Sequence, residues 1–189
     1  MGLAVRVGIG LVLVTLSILV ARPGVAGGVL DGRVAWVDDG DTIDVRIGSR
    51  RERVRYIGLD APEVGHHGGD GEPGGLAAAR MNAALLGDGY VRLELDAQAR
   101  DAYGRLLAYV WVADRMINAE LLQRGCARAV RIFPNLRYAT LFAMLERQAR
   151  QARRGLWAGS AFRGAGLTAR AIRSTPPSGS SWPAIMFAR

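Results

Sequence analysis

The chain has 189 residues, which is enough for one domain with a hydrophobic core and a tight fit for two. Its single cysteine, Cys126, excludes an intramolecular disulfide framework, and its small neighbours predict a buried apolar side chain. The net charge of +8 includes +2 in residues 1–26 and +4 in residues 160–189, so the remaining +2 does not by itself mark the middle segment as a polyanion-binding domain.

The N-terminus has the pattern of an export signal. Arg6 precedes an apolar run over residues 7–20, and small residues follow it up to Ala26, where a signal peptidase would cut. This pattern predicts a signal peptide over residues 1–26 and a mature protein that is secreted or lies in the periplasm or cell envelope. The alternative is an uncleaved membrane anchor, although the run is shorter than the roughly 20 residues that span a bilayer.

Five strands are predicted from the pattern that begins near Val29. Apolar and polar residues alternate over residues 43–47 and 91–95, as in half-buried strands. Three more segments are strand candidates, the last of them apolar on both faces: residues 33–37, 53–57 and 106–111.

Three helices are predicted between and after these strands. Apolar spacing predicts one over residues 76–86, a short one over residues 117–124 that stops at Gly125, and a third over residues 138–152 with arginines off its apolar face. This order of elements excludes a doubly wound parallel sheet, which needs a crossover after nearly every strand. The expected fold class is mainly β with helices (α+β), a five-stranded OB-type barrel capped by three helices.

The composition changes after Gly159. Glycine, serine, proline and alanine then dominate, which predicts a flexible tail over residues 160–189. The folded domain is therefore expected to occupy residues 27–159.

Three short segments at strand ends collect carboxylates and arginines. Residues 38–42 fill the turn between the first two strands, residues 55–63 end the third strand, and residues 101–105 lead into the fifth. Arginines also cluster within residues 50–55 and 147–154, and such local clusters favour contact with nucleic acid.

This combination of side chains suits phosphodiester hydrolysis, which needs a hard cation, rigid hydrogen-bond donors and a proton acceptor. Asp41 and Asp60 would supply oxygen ligands of the kind that calcium prefers. Arg55 and Arg105 would supply planar guanidinium forks for the phosphate oxygens. Glu63 would act as the general base on a water molecule.

Each segment also has a simpler interpretation. Asp-Gly pairs are ordinary turn formers, so an isolated Asp-rich turn is more often a solvated loop than a metal site. An EF-hand is excluded, because counting Asp39 as the first loop position puts Arg50 where a bidentate Glu is required. The adjacent His66 and His67 lie in a Gly-rich loop and are expected to be solvated rather than to bind a metal.

Taken in order, these segments resemble the staphylococcal nuclease (thermonuclease-like) family. The resemblance extends over residues 29–158 and depends on several separate motifs. They are Asp39-Gly40-Asp41-Thr42, Arg55-Tyr56-Ile57-Gly58-Leu59-Asp60-Ala61-Pro62-Glu63, Asp101-Ala102-Tyr103-Gly104-Arg105-Leu106-Leu107-Ala108-Tyr109-Val110, Met116-Ile117-Asn118 with Leu121, Gly125 and Ala127, and Gly155-Leu156-Trp157.

The resemblance implies an OB-type barrel with three helices and one calcium ion (Ca2+). Within that barrel, Asp41, Asp60 and the backbone carbonyl of Ala61 are implied to hold the ion. The implied activity is cleavage of DNA and RNA that leaves 3′-phosphate products.

The resemblance also implies three catalytic residues, Arg55, Glu63 and Arg105. The expected partner is nucleic acid, with single strands favoured, and the expected state is a monomer. Contact with a membrane is expected only through the N-terminal segment, if it is not cleaved.

Two other functions fit parts of the sequence. A non-catalytic OB module that binds nucleic acid or a protein would typically lose the metal carboxylates or the catalytic pair, whereas this chain retains both. A scaffold attached to the envelope would use the apolar leader and the tail. A scaffold does not require carboxylates and guanidinium groups to cluster at strand ends. A nuclease does, so the nuclease function explains more of the sequence.

Overall fold

The structure, a computed structural model, describes residues 27–65 and 71–159. The predicted leader over residues 1–26, the His66-His67 pair and the predicted tail over residues 160–189 lie outside the described residues. Within the described ranges, no helix is both long enough and apolar enough to cross a bilayer.

The strands form one closed barrel and one small second sheet. They are β1 (Val29–Val37), β2 (Thr42–Ile47), β3 (Arg50–Tyr56), β4 (Leu59–Asp60), β5 (Tyr90–Glu94), β6 (Leu106–Val112), β7 (Arg115–Met116) and β8 (Arg128–Ala129). The barrel order is β3-β2-β1-β5-β6, and a parallel pairing of β3 with β6 closes it. The predicted five-stranded OB-type barrel is therefore confirmed.

The prediction of five strands omitted three very short ones. β7 extends the barrel sheet beside β6, while β4 and β8 pair antiparallel as a separate two-stranded sheet. Each of these strands has two residues, which is too short for an alternating pattern to reveal.

The three predicted helices are also present, with ends that differ from the prediction by at most one residue. They are α1 (Gly75–Leu86), α2 (Ile117–Gln123) and α3 (Ala139–Gln151), and a 3-10 turn follows at Gly155–Trp157. Phe142, Leu145 and Ala149 form the buried face of α3, whereas Arg147 and Arg150 are exposed. This division follows the helical spacing in the sequence.

The core fills the barrel and continues beneath the helices. Tyr56, Tyr109 and Phe142 are its largest fully buried side chains, and the rings of Tyr109 and Phe142 meet edge to face with centroids 6.0 Å apart. Cys126 is 3% exposed, as the sequence predicted. Burial raises the pKa of its thiol to about 12, because an apolar environment disfavours the thiolate.

A buried polar side chain ties α2 to the strands that carry the site. Asn118 is fully buried, and its Oδ1 accepts a hydrogen bond from the Val110 backbone N–H at 2.8 Å. Its Nδ2 donates to the Ile57 carbonyl at 2.9 Å. Asn118 therefore satisfies one backbone group of β6 and one at the end of β3, which fixes the helix against both strands.

Candidate functional site

The Asp-rich turn before β2 is buried. Asp41 has no exposed surface and Asp39 is 5% exposed. The Asp39 carboxylate accepts the Asp41 backbone N–H at 2.9 Å, while the Asp41 carboxylate accepts the Thr42 hydroxyl at 3.1 Å and the Ala61 backbone N–H at 2.7 Å. The interpretation of this segment as a solvated loop is therefore wrong, because each carboxylate is held by neighbouring groups out of solvent.

Glycine at position 40 lets this turn pack closely against two other elements. A Cβ atom there would lie 2.5 Å from the Cβ of Ala61 and 2.8 Å from the Cβ of Ala78, closer than carbon atoms pack. A side chain at this position would therefore push the segment after β4 and helix α1 away from Asp41. The glycine of the Asp-Gly-Asp sequence therefore allows Ala61 and Ala78 to pack closely against the turn, in addition to favouring the turn itself.

Arg55 joins the two carboxylates that the sequence identified as metal ligands. It lies on β3 opposite Thr42, with a side chain that is 15% exposed. Its Nη1 contacts Oδ1 of Asp41, and its Nη2 donates to Oδ1 of Asp60 at 2.7 Å. The structure thus brings Asp41, Arg55, Asp60 and Ala61 together where β2, β3 and β4 meet.

This cluster contains more carboxyl groups than guanidinium groups, and the pKa values of its members reflect that. Burial and then the nearby Asp39 raise the pKa of Asp41 to about 8, although Arg55 and the Ala61 N–H oppose the shift. Burial and Asp39 also raise the pKa of Glu63. Burial opposes the charged form of Arg55, yet Asp41 and Asp60 outweigh it and raise the pKa of the guanidinium, which stays charged.

These donors fit a hard divalent cation. Carboxylate oxygens are the ligands that calcium and magnesium prefer, and the cluster has more carboxyl groups than cationic ones. Within residues 27–65 and 71–159, no three His, Cys, Asp or Glu side chains are grouped closely enough to hold a metal ion by themselves. The Arg55 guanidinium instead contacts one oxygen of Asp41 and one of Asp60.

Glu63 lies just after β4, at the edge of the same cluster. Its carboxyl group is close enough to Asp39 for that carboxylate to help raise its pKa. Its backbone carbonyl accepts the Glu72 N–H at 2.9 Å, and a Cβ at Gly75 would lie 2.1 Å from that carbonyl oxygen. The start of α1 therefore packs on the Glu63 backbone and holds this residue beside the buried turn.

Arg105 lies directly before β6, the strand that pairs with β3. It is two residues before Leu107, which pairs with Arg55. Its Nε donates to Asp101 Oδ2 at 2.7 Å and its backbone N–H to Asp101 Oδ1 at 2.9 Å. Within residues 27–65 and 71–159, its side-chain ion pair is to Asp101 and not to Asp41 or Asp60.

Two buried residues to which the sequence assigned no role, one on α1 and one on β3, hold the Asp-rich turn in place. Asn82 of α1 is fully buried, and its Nδ2 donates to the Asp39 carbonyl at 3.1 Å. Its Oδ1 accepts the Tyr56 hydroxyl at 2.9 Å. One signal was available: Asn82 lies between Ala78 and Leu86 on an apolar helical face, where a polar side chain needs a buried partner.

Comparison with known proteins agrees with this architecture. The family model described as staphylococcal nuclease homologue matches residues 53–159. Thermonuclease from Staphylococcus intermedius is 40% identical over 124 residues, which is 66% of this chain and 74% of that protein. The chain belongs to the staphylococcal nuclease family. This confirms the predicted family, and it supports a hydrolase of the phosphodiesterase class.

Two further relatives are similar over the same share of this chain. Thermonuclease from Staphylococcus hyicus is 37% identical over 125 residues, 66% of this chain and 74% of that protein. Endonuclease YncB from Bacillus subtilis is 36% identical over 126 residues, 66% of this chain and 60% of that protein. Nucleases of this family use metal ions, and Asp41 and Asp60 are the carboxylates that Arg55 joins in this member.

Proposed function

We propose that this protein is an exported, calcium-dependent nuclease that cuts within DNA or RNA strands and leaves 3′-phosphate products. The observation that carries the proposal is the contact of one guanidinium, that of Arg55, with both Asp41 and Asp60. A site for phosphodiester hydrolysis requires carboxylates for a cation and a fixed guanidinium for phosphate within a few ångströms of each other. Membership of a nuclease family supports the same reaction.

Asp41, Asp60 and the backbone carbonyl of Ala61 are the groups proposed to hold calcium. When bound, the ion would supply positive charge to the phosphate and make a bound water molecule more acidic. The excess of carboxyl groups over guanidinium groups at this cluster supports a divalent ion. Calcium is proposed because the donors are all hard oxygens and because the ion is plentiful outside the cytoplasm.

Arg55 and Arg105 are proposed to stabilise the negative charge that develops on the phosphate oxygens. Each guanidinium is oriented in advance by carboxylates, Arg55 by Asp41 and Asp60, and Arg105 by Asp101. A donor that is already oriented needs no reorganisation during the reaction, which is the main source of electrostatic catalysis.

Glu63 is proposed to accept the proton of the attacking water. Its place beside Asp39, three residues after Asp60, puts it at the edge of the carboxylate cluster. Formation of a 3′-phosphate requires the bond between phosphorus and the 5′-oxygen to break, so the 5′-hydroxyl is the leaving group.

Export, the domain boundaries and the oligomeric state belong to the same proposal. The apolar run over residues 7–20 and the small residues after it support a cleaved leader, with residues 27–159 as the nuclease domain and residues 160–189 as a tail. We propose a monomer that acts on single strands, whose bases and phosphates are open to contact.

The test is cleavage of single-stranded DNA and RNA by the protein purified after expression of the full-length chain. Cleavage should require calcium and stop when a chelator is added in excess. Asp60→Ala should abolish calcium-dependent cleavage, and this variant is expected to fold because the Asp60 side chain is 51% exposed. Asp114→Ala is the matched control, since it removes an exposed aspartate in the β6–β7 turn.

The same purified sample tests export and the competing function. Mass spectrometry of its N-terminus shows whether residues 1–26 are removed. Tight binding of oligonucleotides without cleavage, in any divalent ion, would contradict the nuclease proposal and favour a non-catalytic binding module.

A further inference from the structure

Three exposed arginines lie side by side across three adjacent strands of the barrel. The antiparallel register pairs Arg33 of β1 with Arg46 of β2, and Arg46 with Arg51 of β3. Tyr90 of β5 pairs with Arg33 on the other side. Residues directly opposite each other in an antiparallel pair share one face, so these three arginines form a continuous arginine row on the outer surface.

The fold itself gains little from this arrangement. Like charges placed directly opposite each other on neighbouring strands destabilise a sheet. Arg51 has a carboxylate partner, Asp44, at 2.7 Å, and the guanidinium carbon of Arg33 lies 5.1 Å from the centre of the Tyr90 ring. In the described part of the chain, the Arg46 side chain has neither a hydrogen bond nor an ion pair. A row of this kind suits a ligand with several negative charges.

The arginine row is continuous with the candidate active site. Alternate residues of a strand lie on one face, so Arg51, Arg53 and Arg55 of β3 share the outer face. A rise of about 3.3 Å per residue puts Arg51 about 13 Å from Arg55 along the strand. Arg53, between them, contacts the Asp38 carboxylate. Guanidinium groups therefore extend along β3 from the row to the cluster of Asp41, Arg55 and Asp60, and those of Arg51 and Arg53 each pair with one carboxylate.

We propose that the arginine row is an accessory phosphate-binding track for single-stranded polynucleotides. The track would hold the strand beyond the position where it is cut. This part of the proposal rests on the proposed nuclease function. Strands lie about 4.8 Å apart, so three arginines span about 10 Å, a distance that a few nucleotides cover. Guanidinium groups bind phosphate oxygens in a forked geometry, and Tyr90, a residue that is 62% exposed, offers its ring as a stacking surface for a base.

The test measures binding of fluorescent oligothymidylates to the purified full chain, with chelator present so that no cutting occurs. The track variant is Arg33→Gln with Arg46→Gln. The control is Arg115→Gln with Arg124→Gln, which removes the same charge from exposed positions on β7 and just after α2, outside both arginine clusters. Strands of about 16 and about 4 nucleotides are compared, because OB-fold sites cover roughly this range.

Affinity of the track variant for the longer strand should fall about tenfold at low salt, and less for the shorter strand. The slope of log K against log salt should become less steep by about 1.4, since each phosphate contact on a single strand contributes about 0.7. The control should bind like the wild type. Arg33→Lys with Arg46→Lys should keep most of the slope, because a charged partner for each phosphate remains.

Two results would overturn the proposal. Equal losses in the track variant and the control would show that net charge alone governs binding, and an unchanged track variant would show that the row does not contact the strand. Thermal unfolding confirms that every variant is folded. Binding is measured without cleavage, so the two proposals can fail separately. If the protein binds through the row but does not cut, only the nuclease proposal is contradicted. If the protein cuts and the track variant binds normally, only the track is contradicted.

Discussion

The Arg55 guanidinium contacts the carboxylate of Asp41, a residue with no exposed surface. The same guanidinium also donates to Asp60, whose side chain is 51% exposed. Arg55 is therefore the counter-charge of a buried carboxylate as well as the proposed phosphate ligand. Its removal should affect stability and activity together.

Arg55→Ala should reduce turnover by about 10²- to 10³-fold, the usual effect of losing one pre-oriented donor. It should also lower the free energy of unfolding by about 2 kcal/mol, because the buried carboxyl group of Asp41 loses one of its hydrogen-bond donors. Adding Asp41→Asn should restore part of this stability. Urea unfolding and cleavage kinetics check both effects, with Arg124→Ala, an exposed position just after α2, as the control. Turnover equal to that of the wild type would contradict a catalytic role for Arg55.

Asp101→Asn should lower turnover about tenfold, because Arg105 loses the charged partner that orients it. Partial burial opposes the charged form, but hydrogen bonds from Arg105 and Tyr103 outweigh it and hold the pKa of Asp101 below its ordinary value of 3.8. A carboxyl group with a lowered pKa stabilises the fold at pH values above its unfolded-state pKa. This contribution disappears as the pH falls through the lower folded-state pKa. Melting temperatures of wild type and variant should therefore differ at neutral pH and converge in acid.

Asn118→Ala should lower the free energy of unfolding by about 3 kcal/mol, since the Val110 N–H and the Ile57 carbonyl would be buried without partners. Gln123→Ala, an exposed position on the same helix, is the control and should change stability little. Urea unfolding gives both values. A small effect at Asn118 would mean that water reaches these two backbone groups.

The Cys126 thiol should react with alkylating reagents only after unfolding. The thiolate is the reactive form, and burial raises the pKa of this thiol from 9.0 to about 12, so little thiolate forms near pH 8. Mass spectrometry before and after denaturation measures the labelling. Asp114→Cys, which places a thiol at an exposed position, should label quickly in the native protein, and equally fast labelling of Cys126 would contradict its burial.

Arg46→Gln should raise the free energy of unfolding by about 0.5 kcal/mol, because it removes the middle of three like charges that face one another across the sheet. Arg147→Gln should leave the stability unchanged. Urea unfolding at low salt gives the larger difference, since salt screens exposed charges. A loss of stability at Arg46 would mean that the row is held by contacts within the protein.

The sequence by itself determined the family, the five barrel strands and the three helices. Periodicity of apolar residues is a local property, and the strands and helices that it predicted lie within a few residues of their observed bounds. The same sequence gave the segments that meet at the site, because Asp41, Arg55, Asp60 and Ala61 all belong to the motifs that carry the family resemblance.

Only the tertiary structure decided how buried the site is and which charges face one another. Burial of Asp41 depends on Ala61 and Ala78, which pack around Gly40 from distant parts of the chain. The arginine row depends on register, which a β-bulge between Val34 and Trp36 helps to set. Register and burial arise from contacts between residues far apart in sequence, and local patterns cannot specify such contacts.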